Sequence, residues 1–255
     1  MRRSVILAAV AVISLSSLGC MGGMGAPSAL LPADYAEALA TPSRPADDRA
    51  RDAARHTAET LAFAQVRPGQ KVADMIIGGG YFTRVFSAAV GPGGRVTAWQ
   101  PAEFIAFQAS YGESLITVDA LANVDAIRSP IGAPAFPSSL DLVFTAQNYH
   151  DLHLAPFPAD TAAHVNAAAF AALKPGGRYV IVDHHAVAGS DLGAANTLHR
   201  IDIEAVKREV TAAGFVLDGE SDILANAADP RTASVFDASI RGRTSQFMLR
   251  FRKPR

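Results

Sequence analysis

Cysteine is almost absent from this chain, with one among 255 residues at Cys20, so no intramolecular disulfide can staple the fold and a packed core must hold it. An excess of charge of either sign is absent too. With 23 basic against 24 acidic residues spread along the sequence and a net charge of -1, there is no electrostatic footprint for nucleic acid, and DNA or RNA is excluded as the expected partner. Long apolar runs are scarce: the one from Val5 to Leu18 is too short to span a bilayer comfortably as a permanent helix. Apolar residues as such are plentiful, at 49% with 18% charged, enough for one large domain with a short appendage.

The first segment with a definite character is an address. Met1-Arg2-Arg3 supplies a positive end, the apolar run follows, and Gly19-Cys20 closes it. This resembles a bacterial lipoprotein signal, departing from it at Ser17, where such signals usually carry Leu. The resemblance implies a signal peptide over 1–20, acylation of Cys20 after cleavage, and a membrane-anchored protein on the periplasmic side of the cell envelope. An ordinary secretory signal or an uncleaved anchor is the alternative. Residues 21–45, rich in Gly, Pro, Ala and Ser, read as a flexible tether, and 46–255 as the folded domain.

Within that domain, helical and strand patterns alternate. Asp47 to Gln65 lacks Gly and Pro and predicts one helix ended by Pro68-Gly69. Strands are expected at Lys71 to Ile77, Arg95 to Trp99, Leu115 to Val118, Leu140 to Ala146 and Arg178 to Val182. Helices are expected at Tyr81 to Val90, Glu103 to Ser110, Phe157 to Leu173 and Asp202 to Ala213, with a closing strand pair at Phe215 onward and Gln246 to Phe251. Alternation of this kind makes an α/β fold, a doubly wound, Rossmann-like, mostly parallel sheet whose ligands sit at the carboxyl ends of the strands. Residues 225–244 interrupt the last two strands and read either as a lid over those ends or as a long hairpin loop.

Two features carry chemistry. The first strand runs into Gly78, Gly79 and Gly80 and then a helix; a turn that sharp visits positive φ, and missing side chains let a flat, nucleotide-like cofactor lie against it. The second is a pair of polar clusters, Asn148-Tyr-His-Asp-Leu-His153 after the fourth strand and Asp183-His184-His185 after the fifth. Neighbouring strands bring both to one rim. His150, His153, Asp183, His184 and His185 then serve as a substrate site with a histidine as general base, as a zinc or iron site, or as caps and loop residues. His56 and His164 read as ordinary helix residues, and His199-Arg200 as a grip for an anionic substrate or a partner for Asp202.

Val72-Ala-Asp-Met-Ile-Ile-Gly-Gly-Gly-Tyr-Phe-Thr83, Leu140-Asp-Leu-Val-Phe144 and Leu173-Lys-Pro-Gly-Gly-Arg-Tyr-Val-Ile-Val-Asp183 resemble, in order and spacing, the motifs of class I S-adenosylmethionine-dependent methyltransferases. The tail, with Leu198-His-Arg-Ile201, Ala213-Gly-Phe215 and Glu220-Ser-Asp-Ile-Leu-Ala-Asn226, is similar to a narrower group of bacterial predicted methyltransferases. The resemblance implies a seven-stranded sheet with an antiparallel last strand. It implies S-adenosylmethionine over Asp74 and Gly78 to Gly80, with Gln100, Asp119 and Asn148 also in the cofactor site. A small-molecule acceptor would approach over Asn148, Tyr149 and His150, with His150 or Asp151 taking its proton. Two positions depart from the pattern: Ile76 stands where the family's first glycine falls, and Gln100 where an acidic residue usually holds the ribose, with Glu103 as a substitute.

The address and the chemistry conflict, since S-adenosylmethionine is made in the cytoplasm. Retention of some protein inside, a supply in the envelope, or a fold that has become a ligand-binding protein without methyl transfer each resolves it. A metal-dependent enzyme using the His/Asp cluster is a further alternative.

Overall fold

The computed structural model describes residues 28–255; the expected signal peptide, Cys20 and the first part of the expected tether lie outside them. The chain folds around a seven-stranded sheet made of β1 (Lys71–Met75), β2 (Arg95–Pro101), β3 (Val124–Ser129), β4 (Leu140–Ala146), β5 (Leu173–His184), β6 (Val216–Ser221) and β7 (Gln246–Arg252). Their spatial order is β3-β2-β1-β4-β5-β7-β6. The first five pair in parallel, and β7 lies antiparallel between β5 and β6. This is the seven-stranded, Rossmann-like sheet expected, with the order reversing between β1 and β4.

Both faces are dry, which explains why the central strands read as unbroken apolar runs. Along β5, Tyr179 and Ile181 enter one core with Met75, Trp99, Val143 and Phe247, while Val180 and Val182 enter the other with Val72, Phe82, Phe86 and Phe144. The first face is covered by α7 (Thr161–Ala172) and α9 (Ile203–Ala212), the second by α3 (Thr57–Ala64) and α4 (Tyr81–Val90). On α4, Phe82, Val85, Phe86 and Ala89 fall at the i, i+3, i+4, i+7 spacing that puts them on one stripe. Asp202 caps α9 by accepting the Glu204 amide.

Four expectations change. The third strand is Val124–Ser129; residues 115–118 belong instead to α6 (Ser110–Asp119). Tyr111, Leu115 and Val118 recur at helical spacing, whereas β3 is an edge strand whose polar Asp125 and Arg128 hide it from a search for apolar runs. The stretch after Pro101 is likewise two helices, α5 (Ala102–Phe107) and α6. The single helix over 47–65 is broken into α2 (Ala46–Arg49), a series of turns, and α3. Ion pairs from Arg44 to Asp52 and from Arg84 to Asp48, with the Tyr81 hydroxyl on Asp52, fold this segment onto α4, and His56 takes φ +45 before α3 begins.

The tether also ends earlier than residue 45. A 3-10 turn (Pro32–Tyr35) leads into α1 (Ala36–Ala40), and the buried Tyr35 hydroxyl donates to the carbonyls of Leu61 and Val66. One ring with two hydrogen bonds fastens the segment to the domain. A helix absent from the sequence reading, α8 (Gly193–Leu198), lies between β5 and α9.

Candidate functional site

Chain reversal after β1 is done by Ile76, Gly78 and Gly80, at φ +61, +54 and +74. Ile76 is β-branched and so strained there, by roughly 1–3 kcal/mol. Its amide bonds to the Trp99 carbonyl and its side chain is buried, which holds it in place. The backbone thus keeps the shape a glycine would give at that position. A Cβ on Gly80 would meet Val118 at 2.5 Å, so this glycine is required by packing; on Gly78 or Gly79 it would meet nothing within 4 Å. The space beside the turn is open.

Three other expected residues converge on this turn or just beneath it. Asp74 is buried, accepts the Thr83 hydroxyl at 2.6 Å, and is pushed up to about 7 by that burial. Gln100, at the carboxyl end of β2, accepts the Gly78 amide through Oε1 at 3.0 Å and leaves its buried Nε2 without a partner. Asn148 donates to the carbonyls of Ile76 and Ala146, joining the ends of β1 and β4. Asp119 does not join them. It precedes β3, is exposed, and accepts the Ala126 amide in that edge strand. Glu103 is engaged as well, accepting the Ile131 amide at 2.9 Å, so it does not replace the missing ribose carboxylate.

The polar clusters sort into three environments. His150, in a 3-10 turn after β4 (His150–His153), is clamped by Asp183: its backbone amide donates to one carboxylate oxygen at 2.7 Å and Nδ1 meets the other at 2.8 Å. Its Nε2 lies 3.2 Å from Asp151 Oδ1 and 3.3 Å from His199 Nδ1. Burial alone would lower the imidazole, but the Asp183 and Asp151 carboxylates outweigh it and raise His150 to about 10. Burial likewise opposes the Asp151 charge, yet its bonds to His150 and His199 keep its carboxyl low. These shifts favour a His150 imidazolium paired with an Asp151 carboxylate, an arrangement that makes each a weaker proton acceptor.

The other histidines diverge from the common rim expected of them. His153 turns to Glu209 at 3.1 Å. The Tyr149 hydroxyl also donates to Glu209 and accepts from Asn166, with its ring fully buried in the core beneath α7 and α9. Tyr149 therefore faces the core rather than the rim expected of it. His184 meets the Thr244 hydroxyl at 2.8 Å, and His185 packs edge-on to Phe247; burial pushes both down to about 4. Arg200, expected beside Asp202, instead forms a buried bidentate pair with Asp229 and donates to the carbonyls of Ala233 and His185.

That pair fixes residues 225–244 over the strand ends. Beneath them is a cavity of about 300 Å³ at the ends of β4 and β5, floored by Gln147 and His184 and roofed by Phe236 and Arg241. Arg51 and Arg55 form the opposite wall. Arg55 lies over the Tyr81 ring at 4.6 Å and Arg51 over the same ring at 5.0 Å; burial and the nearby Arg51 lower Arg55. Among the described residues neither Arg55 nor Arg241 has an ion-pair partner. Sequence reasoning missed these arginines because Arg51 and Arg55 fell on what read as the charged face of one helix. It read His199 with Arg200 as an anion grip or a partner for Asp202, whereas the fold brings His199 to His150.

No protein-family model and no curated protein matches the chain. Solved structures do match its fold. A S-adenosylmethionine-dependent methyltransferase from Aquifex aeolicus superimposes with TM-score 0.57 at 17% identity, covering 88% of this chain and 98% of that one. The N-methyltransferase NodS from Bradyrhizobium japonicum WM9 gives 0.55 at 15%, covering 82% and 99%. The [4+2]-cyclase SpnF gives 0.57 at 18%, covering 79% and 81%. The chain has the Rossmann-like fold of class I S-adenosylmethionine-dependent methyltransferases, a fold that also serves a cyclase.

Proposed function

We propose that the chain is a S-adenosylmethionine-dependent methyltransferase whose acceptor is a small anion held in the cavity beneath residues 225–244. One observation carries this reading: the open glycine turn and the cavity lie at the same carboxyl ends of the sheet, the cavity being lined by Gln147 while the next residue, Asn148, is tied to the turn through the Ile76 carbonyl. The vacant space at Gly78 and Gly79 fits a flat cofactor, and the unpartnered Gln100 amide offers a donor beside it. Asp74, Gly78, Gly79, Gln100 and Asn148 would hold the cofactor, which supplies a methyl group already activated as a sulfonium.

The protein's share of the work is alignment and exclusion of water. Gln147 and Asn148 are consecutive residues at the end of β4, so an acceptor resting on the first lies beside the second. Among the described residues, the one imidazole lining the cavity, His184, is a weak base because burial pushes it down to about 4. An acceptor whose attacking atom is already anionic needs no base. Arg51, Arg55 and Arg241 suit such a molecule, a carboxylate for instance, and a guanidinium grips it with two parallel bonds.

Incubation with methyl-labelled S-adenosylmethionine and a small-molecule extract, followed by anion-exchange fractionation, tests the acceptor class. Label should enter species retained before methylation, and Arg55→Gln should raise KM by about 10- to 100-fold, the loss of roughly one charge-assisted bond pair. Label confined to neutral or cationic acceptors contradicts the reading. A ligand-binding protein without transfer is the second reading, favoured by the uncharged Gln100 at the ribose position.

The proposed location is the periplasmic side of the envelope, anchored through Cys20, on the strength of the charged start, apolar run and Gly19-Cys20. Labelled fatty acid should enter the protein and be lost in Cys20→Ala; label that persists in the variant rules the site out.

A further inference from the structure

The His150 cluster has no role in the function proposed above, yet it is the most elaborate polar arrangement in the described structure. His150 Nε2, Asp151 Oδ1 and His199 Nδ1 form a triangle with sides of 3.2, 3.3 and 3.8 Å. Around a tetrahedral zinc with bonds of 2.0–2.1 Å, neighbouring ligand atoms stand about 3.3 Å apart. Two imidazoles and one carboxylate are also a donor set that zinc accepts.

The outer arrangement is that of a metal ligand. Asp183, fully buried, takes both the amide and Nδ1 of His150. This directs Nε2 at the other two donors and fixes the ring, as outer carboxylates do for metal-bound histidines. His199 is held by its neighbour, since Arg200 is pinned to Asp229. Asp151 and Asp183 place two carboxylates in a largely buried site beside the imidazoles of His150 and His199.

We infer that His150, Asp151 and His199 bind one zinc ion, with Asp183 as the outer carboxylate and a fourth position left for water or a ligand. The ion would cross-link the end of β4 to the connection between α8 and α9. It would also set positive charge behind the cavity wall, because His184 and Phe236 line the cavity and pack on His150 and His199 at ring-centroid distances of 6.0 and 4.8 Å. The inference does not depend on methyl transfer.

Zinc chloride titrated calorimetrically into the full chain, freed of metal by a chelator, is the test. One equivalent should bind. His199 has φ +52, so His199→Gly removes a ligand without backbone strain; it should weaken zinc binding at least about 10²-fold, and Asp183→Asn about 10- to 100-fold. Zinc should raise the thermal midpoint of the unaltered protein but not of His199→Gly. His164→Ala, on an exposed helix face, should bind as the unaltered protein does. No zinc bound at micromolar concentration, or equal affinity in His199→Gly, overturns the inference.

Discussion

At Gln100 an amide occupies a place where the resembled family uses a carboxylate, and the structure gives the substitution a local purpose: its oxygen receives the Gly78 amide and so helps shape the turn. That Asp74, Gly78, Gly79, Gly80 and Asn148 gather at one turn was legible because turn chemistry is written in residue type. Tyr149 and Asp119 were not, since burial and strand order decide where those side chains end. Asp74 gives a prediction at this scale. The folded protein keeps its proton to about pH 7, where an ordinary carboxyl has lost it. The folded state then binds more protons than the unfolded chain between about pH 4 and 7, and stability from this group falls as pH rises through that window, by up to about 1.4 kcal/mol per unit. Urea unfolding across pH 4–7 should show a shallower decline in Asp74→Asn than in the unaltered protein; parallel curves would contradict the assignment.

Among the elements, β1, β2, β4, β5 and β7 announced themselves because a strand buried on both faces must be apolar throughout. The edge strand β3 did not, and the β-branched Ile116, Thr117 and Val118 of α6 imitated a strand, although Tyr111, Leu115 and Val118 fall at helical spacing and Val118 packs against Gly80. The segment over the cavity read equally as lid or loop. Its attachment through Arg200 and Asp229, both buried, makes it a fixed roof. Removing one partner strands a buried charge, so Asp229→Ala should cost about 3–5 kcal/mol. Chemical denaturation measures this directly, and a loss below about 1 kcal/mol would mean the pair does not hold the roof.

For the molecule as a whole, a sheet that reverses order between β1 and β4 leaves a crevice at its carboxyl ends, and both the open turn and the arginine-lined cavity lie there. Sheet and crevice followed from the alternation of elements and the glycines. The arginine wall and the pairing of His150 with His199 needed long-range contacts that no local pattern encodes. The central claim is that the turn binds S-adenosylmethionine, and Gly79→Val isolates it: position 79 is not at positive φ and an added Cβ meets nothing, so the variant should fold normally and only fill the ligand's space. Calorimetric titration of S-adenosylmethionine into the chain lacking residues 1–20 should give saturable one-site binding that Gly79→Val abolishes. No binding by the unaltered chain at millimolar cofactor, or equal binding by Gly79→Val, would contradict the account.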